Sequence, residues 1–449
     1  MNRRKFIQGS AFTAGTFAFS NVGFAQNPGK KIRVACIGVG GMGGGDIRGV
    51  KNETVVALCD VDDRSLKSAA QLYPSAKLYK DYRIMLREMK DGIDAVTVST
   101  PDHTHFPASM MAMFANKHVY VQKPMAHNIW QIRQMVAEAR KRKLVTQMGN
   151  QGHTFTGIRL VREWIEAGLI GEVKEVIAWT DRPYQCYAFS PEQKQYPKAT
   201  PVPGYLDWDL WQGCVKEPTA HAKDVFHRLY WRGWWRFGMG GLGDIGCHTL
   251  DTPFWALDLE IAHKVDVEVD HVNPVHTPPG SVVTYHCKQK KTGKVIPMTW
   301  YEGPKVPKLP AAMVGTKLHK EGGLIIIGSD GIVYHPGMRP DSPRLFPEEK
   351  WTAFRNNPES RPKEVYPRIK GGPIAEWLRA IKGEGPAPGS NFDYAGPLTE
   401  MIALGTLAIR TGKGMDYDAG KMQITNNPEA QAMIKEEARE GFRLEDLKV

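Results

Sequence analysis

The sequence predicts an α/β protein: a doubly wound parallel sheet on the N-terminal side, then an α+β domain with an open mixed sheet. Apolar runs of strand length alternate with helical patterns up to residue 150, the order that strand–helix–strand units require. Those runs are apolar at nearly every position, which suits strands covered on both faces. Beyond residue 150 strand-like segments recur with only short turns between some of them, as an open mixed sheet requires.

The chain begins MNRRKFIQGS and continues through an uncharged stretch of small and apolar residues from Gly9 to Ala25. Residues 1–26 therefore read as an export signal cleaved near Ala25. Adjacent Arg3 and Arg4 followed by Phe6 resemble the twin-arginine type, which places the expected protein in the periplasm or outside the cell.

The first domain is expected over 31–150. Its strands are KIRVACIG, TVVALCD, IDAVTVST, KHVYVQKP and KLVTQMGN. The second domain, 151–449, opens with the helical pattern IRLVREWIEAGLIG, stopped by Gly168 and Gly171, and the strand EVKEVIAWT follows. A long irregular stretch from Arg182 to Gly240 is rich in Pro, Trp, Tyr and His. Loops of that length inside a domain usually carry function. Strands VVTYHCKQ, VIPMTWY and GLIIIGSDGIVYH come next, and a helical region from Pro373 to Arg410 closes the pattern.

Composition removes several classes. At 449 residues with 42% apolar and 24% charged side chains, the chain is neither disordered nor a multi-span membrane protein. No run after the leader approaches the ~20 apolar residues of a spanning helix. The net charge of +11 loses three units with Arg3, Arg4 and Lys5, and the rest is mixed with acids, so no nucleic-acid partner is expected. The run Arg140 to Lys143 reads as a solvated helix end. Six cysteines form no CxxC pair; Cys186 with Cys214 is the one pair to test as a bridge. Pairs such as His103 and His105, or His221 and His227, lack a carboxylate at fixed spacing, so no metal site is expected.

Gly38, Gly40 and Gly43 in GVGGMG stand between the first strand and a helix, with Gly41 and Met42 inside the same turn. This is the dinucleotide signature of a Rossmann domain: a tight turn, a close backbone approach to pyrophosphate, and close helix–strand packing. Asp60 ends the second strand, where an acid accepts hydrogen bonds from the adenosine ribose. Its carboxylate, with Asp62 and Asp63, repels a 2′-phosphate, so NAD is favoured over NADP; Arg64 dissents.

Three further motifs fall at strand ends or helix starts: TPDHTH from Thr100 to His105, VQKP from Val121 to Pro124, and GGLGDIGCHTLD from Gly240 to Asp251. Together with the glycine signature they resemble the Gfo/Idh/MocA oxidoreductase family over most of residues 31–410. The resemblance implies an enzyme acting on sugars or their derivatives. It implies that Lys123, Asp244 and His248 surround the substrate beside the nicotinamide, and that Thr100, Pro101 and His105 line the cofactor. The family commonly has Glu where this chain has Gln122. Gln122 and Asn150 are assigned to the cofactor side, and Asn150, Gln151 and His153 are candidates for the polar contacts that this change removes.

Residue chemistry points the same way. His248 titrates near neutrality and suits a general base for a hydroxyl proton. Asp244, four residues earlier on one helical face, would orient it, and Lys123 would stabilise charge on the reacting oxygen. Eight of the twelve tryptophans lie between Trp164 and Trp255, interleaved with Arg182, Tyr184, His227 and Arg232. Sugar rings lie on aromatic faces while charged groups bind their hydroxyls. His153, Arg182, Tyr184, Arg232 and Trp235 are therefore the expected substrate residues, with Trp164 and Trp255 in the core. HRLYWRGWWRFG could alternatively mediate subunit contacts, and a homo-oligomer through the C-terminal sheet is expected.

The leading expectation is an NAD-dependent oxidoreductase acting on a small carbohydrate at a ring secondary alcohol or ketone. A second is a glycosidase-like enzyme with tightly held NAD, cleaving a glycoside by transient oxidation, elimination and re-reduction. A third, motivated by Gln122, is a non-catalytic glycan-binding protein.

Overall fold

The structure, a computed structural model, describes residues 29–182, 190–226 and 229–449. The leader expected at 1–26, with Tyr184, Cys186 and His227, lies outside them. Six strands build the first sheet: β1 (Arg33–Ile37), β2 (Thr54–Cys59), β3 (Lys77–Tyr79), β4 (Ala95–Val98), β5 (His118–Val121) and β6 (Thr146–Met148). All pair in parallel in the order β3-β2-β1-β4-β5-β6. The chain crosses from one side of the sheet to the other between β1 and β4, which opens a crevice at their carboxyl ends. Strands β4 and β5 are buried at every position, as the continuous apolar runs required.

Helices return the chain after each strand, and side chains set where they start. Asp62, Asp81 and Asn128 cap the helices Asp63–Leu72, Tyr82–Met89 and Ile129–Arg142 by accepting backbone N–H groups. The last of these ends at Lys143 in a left-handed conformation, with Arg140, Lys141 and Arg142 in its final turn, where the helix dipole favours positive charge.

The second sheet has nine strands: β7 (Val173–Thr180), β8 (Lys264–Val269), β9 (Ser281–Lys288), β10 (Val295–Glu302), β11 (Gly323–Gly328), β12 (Gly331–Pro336), β13 (Arg344–Phe346), β14 (Met415–Asp418) and β15 (Gln423–Ile424). Their order is β13-β12-β11-β7-β10-β9-β8-β14-β15, and β7 with β10 is a parallel pair in an otherwise antiparallel arrangement. Strands β9 and β10 alternate buried and half-buried positions, so one face meets the core. The helix Phe392–Thr411 lies against that face, buried over most of its length.

The single helical region expected from Pro373 to Arg410 is two helices, and the first belongs with the other domain. Ile374, Trp377, Leu378 and Ile381 of helix Gly372–Ile381 pack on Ile32, Val34 and Tyr120 of the parallel sheet. That sheet has an apolar back face, and this later segment covers it.

The aromatic stretch is core. Trp208, Trp211, Phe226, Trp231, Trp234 and Phe237 form their own buried cluster, with the Trp208 and Trp211 rings stacked 4.6 Å apart. Trp164 is buried as expected, whereas Trp255 is half-buried beneath the Arg162 guanidinium, 4.5 Å from its ring. Within HRLYWRGWWRFG, Trp231, Trp234 and Trp235 are buried, whereas Tyr230 is exposed. Among the described residues no helix is long and apolar enough to cross a membrane.

Candidate functional site

A cleft of about 920 Å³ opens at the crossover between β1 and β4, in the size range of small-molecule sites. Gly38, Gly40, Gly41, Met42, Asp60, Thr100, Pro101 and Gln122 line it, and Lys123 and Arg232 stand at one end. Two glycines are demanded by close approach. Gly38 has φ +76°, and a Cβ there would lie 2.6 Å from the Ser99 carbonyl oxygen. Gly43 does not line the cleft; a Cβ on it would lie 2.0 Å from the Gly38 oxygen, so it lets the helix Gly41–Gly49 press against the strand. The first-turn N–H groups of that helix have no intrahelical acceptor. They form the natural seat of a pyrophosphate.

Asp60 accepts hydrogen bonds from Val39 N (2.8 Å) and Gly40 N (3.2 Å) through Oδ2, and from Asp62 N (2.9 Å) through Oδ1. The carboxylate thus fixes the glycine turn and still faces the cleft. Burial pushes its pKa up, against those three N–H groups. Arg64 is bound to Asp62 at 2.6 Å and stacks 3.6 Å from the Tyr205 ring.

Lys123 donates to the backbone oxygen (2.7 Å) and to Oδ1 (2.6 Å) of Asp244. Arg232 Nε donates to the same Oδ1 at 3.0 Å, its guanidinium 4.2 Å from the Trp231 ring. A lysine from the first domain and an arginine from the second therefore share one carboxylate. Asp102, buried below them, has its pKa raised to about 6 by desolvation, with Arg232 and Lys123 opposing the shift.

The expected orientation of His248 by Asp244 does not occur. Leu242–Gly246 forms one π-helical turn, a widened turn often found at functional sites. It directs Asp244 to Lys123 and Arg232. His248 is 2% exposed; its Nε2 lies 3.4 Å from Arg339, and its Nδ1 has no partner. A guanidinium only donates, so Nε2 is the accepting nitrogen and Nδ1 carries the proton. Burial, then the charges of Lys123 and Arg339, holds this imidazole well below the ordinary histidine range, so it is neutral.

Other assignments move. His105 does not line the cleft: buried, it bridges Pro124 O and Thr100 O at 2.7 Å each and braces both loops from behind. Asn150 is fully buried away from the cleft wall, with neither amide atom partnered. His153 is 1% exposed and holds Asp251 at 2.9 Å, while Tyr394 donates to the same carboxylate at 2.6 Å. That closed cluster replaces the expected substrate role. Trp235 is also buried, its Nε1 on Asn273 O at 2.9 Å, because its side chain fills the core behind the site. Arg182 is close enough for its charge to act on His248 and Arg339.

Two functional groups had gone unremarked. Asp46 accepts from Ser99 Oγ (2.6 Å) and Gln122 Nε2 (2.8 Å), and burial raises its pKa to about 6. Arg339 reaches His248 from the connection between β12 and β13, a loop whose sequence shows only Gly and Pro punctuation. Cys214 donates its thiol to His103 O. Among the described residues no three His, Cys, Asp or Glu side chains gather as a metal site.

Residues 32–150 match the model of an oxidoreductase family with an NAD-binding Rossmann fold, and residues 154–296 match that family's C-terminal alpha/beta domain. A glycosyl hydrolase family 109 protein of Solibacter usitatus is 33% identical over 168 residues, covering 34% of this chain and 38% of that protein. An inositol 2-dehydrogenase/D-chiro-inositol 3-dehydrogenase of Lacticaseibacillus casei is 30% identical over 146 residues, covering 31% and 42%. The chain thus spans less than half the length of either curated relative in these matches. The WlbA dehydrogenase of Bordetella pertussis, solved with NADH and UDP-GlcNAcA, shares the fold with a TM-score of 0.58 at 16% identity, over 87% of this chain and 99% of that one.

Proposed function

We propose that this chain, which belongs to the Gfo/Idh/MocA oxidoreductase family, is an NAD-dependent oxidoreductase that interconverts a secondary alcohol and a ketone on a sugar or sugar derivative. The observation that carries this reading is that Lys123, held by Asp244 at 2.6 Å, lines the same cleft as the glycine turn. The residues present fit a dinucleotide: the first-turn N–H groups of helix Gly41–Gly49 would hold its pyrophosphate, and Asp60 would offer its remaining lone pairs to a ribose. NAD is favoured because Asp60 faces the cleft while Arg64 is already neutralised by Asp62.

When bound, the nicotinamide supplies the hydride acceptor or donor. Lys123 Nζ holds the substrate oxygen and stabilises negative charge developing on it, and Asp244 keeps that ammonium in place. His248 Nε2 takes the hydroxyl proton in the oxidising direction and returns it in reduction. Trp211 and Trp231 are among the cleft-lining side chains and present apolar surface there. A screen of sugars for absorbance change at the nicotinamide band tests the reading. Turnover lost in Lys123→Ala supports it, and no turnover with any sugar in the presence of bound NAD contradicts it.

A second reading draws on the family 109 relative: glycoside cleavage by transient oxidation with no net redox change. Release of aglycone without added NAD, from protein that retains nucleotide, would favour it. Export by a twin-arginine signal in residues 1–26 belongs to this proposal too, since a folded protein can carry its cofactor across. A reporter fused to residues 1–30 that stays in the cytoplasm would reject it. Homo-oligomerisation through the outer face of the nine-stranded sheet completes the proposal, checked by light scattering.

A further inference from the structure

We propose that the substrate carries an anionic group, a carboxylate or a phosphate, and that Arg339 binds it. This deepens the reading above and rests on it. Arg339 follows Met338, whose carbonyl accepts a hydrogen bond from Thr249 Oγ1 at 3.1 Å, so the loop is fastened to the helix that bears His248. Its aliphatic stem covers Gly152, where a Cβ would lie 3.7 Å from Arg339 Cβ and Cγ.

The guanidinium is half-buried yet poorly matched. It reaches Gln151 Oε1 and His248 Nε2 at 3.4 Å each, the outer limit of hydrogen bonding, and its Nε has no partner. It makes no ion pair among the described residues. The carboxylates whose charge acts on it are Asp244 and Glu321, opposed by Arg182, and Asp244 is already shared by Lys123 and Arg232. Withdrawing a charged group from water without a paired counter-charge is costly. Such a guanidinium is suited to a planar or tetrahedral anion, which it can grip with two parallel hydrogen bonds.

A second observation falls beside the same guanidinium. His248, whose Nε2 lies 3.4 Å from Arg339, has its Nδ1 buried without a partner, on a residue 2% exposed. Unpartnered buried polar atoms are rare in folded proteins. Asn150 and Gln151 follow β6 at the carboxyl end of the parallel sheet, the edge where ligands bind in this architecture. A hydroxyl group of a sugar can satisfy the unpartnered His248 nitrogen, and an anionic substituent satisfies the arginine. An anion drawing Arg339 toward itself would also uncover His248 Nε2, the nitrogen that takes the proton.

The test uses the full chain loaded with NADH and calorimetric titration of three probes: D-glucuronate, glucose 6-phosphate and glucose. At least one acid is expected to bind tenfold or more tightly than glucose. That preference should disappear in Arg339→Gln and largely persist in Arg339→Lys, with both variants melting like the parent. The two acids separate a carboxylate from a phosphate. Equal binding of acids and glucose, no binding of either acid, or acid binding unchanged in Arg339→Gln overturns the proposal. NADH is titrated first: failure of NADH to bind sinks the cofactor reading, whereas NADH binding with indifference to the acids sinks this inference alone.

Discussion

Gln122 donates its amide Nε2 to Asp46 Oδ2 across 2.8 Å, which ties the residue before Lys123 to the helix that follows the glycine turn. Asp46 is 5% exposed and also accepts from Ser99 Oγ. An amide is the right partner for a buried carboxylate because it donates and carries no charge. A glutamate at this position would set two carboxyls against one another.

Gln122→Glu is therefore expected to destabilise the protein by about 1–3 kcal/mol at pH 8, the cost of an unpaired buried polar or charged group. The Asp46 pKa is raised to about 6 from 3.8, so the folded state holds its proton more tightly, and stability falls as pH rises through that interval. A second carboxylate strengthens the effect. Melting temperatures of parent and variant should differ more at pH 8 than at pH 5, and an equal difference at both would show that Asp46 is not ionised beside residue 122.

Lys123→Met should lower kcat by about a hundredfold or more, the usual cost of losing a donor aimed at developing charge. NADH affinity should change little, because on the proposed reading the dinucleotide is held mainly by the glycine turn and Asp60 rather than by Lys123. Steady-state kinetics with a parallel NADH titration checks this, and retained kcat would remove Lys123 from the chemistry.

The pH profile should report His248. A base must be neutral to accept a proton, and burial with Lys123 and Arg339 holds this imidazole well below its ordinary 6.5. The acidic limb of kcat/KM is thus expected below pH 6.5, with a plateau through neutrality. An acidic limb centred above 6.5, moved by His248→Asn, would mean that the residue works in a more open or more acidic setting.

Cofactor choice should depend on Asp62 through Arg64. Asp62→Ala frees a guanidinium that now lies on Tyr205 and is bound to the carboxylate at 2.6 Å. The ratio of NADP to NAD affinity is expected to rise about tenfold, or roughly 1.4 kcal/mol. Fluorescence titration with NADH and NADPH measures the ratio, and an unchanged value would place Arg64 outside the 2′-hydroxyl region.

The parallel sheet and its glycine turn were legible because local pattern and global fold agree there: apolar runs of strand length, a helix after each, and an acid at the end of β2. The edge strand β3 escaped because Lys77 and Leu78 are exposed and its three residues pair with one neighbour only. The packing of Gly372–Ile381 on the first sheet escaped for a different reason, since periodicity shows that a helix is amphipathic and not which face it will cover. In the site, Lys123 and Asp244 were expected from the family resemblance, and the structure brings the two side chains together. The turn of Asp244 away from His248 could not be read, because a π-helical turn leaves no mark in a spacing of four. Tryptophan richness misled in the same way: Trp208 and Trp234 are as suited to a core as to a sugar platform, and burial decided for the core.

A crystal structure of the protein with NADH tests the central claim most directly. The account predicts density for the pyrophosphate over the first turn of helix Gly41–Gly49, with the nicotinamide ring beside Lys123 Nζ. A cleft that stays empty at saturating NADH, or a nucleotide seated with its reactive ring away from Lys123, would contradict it.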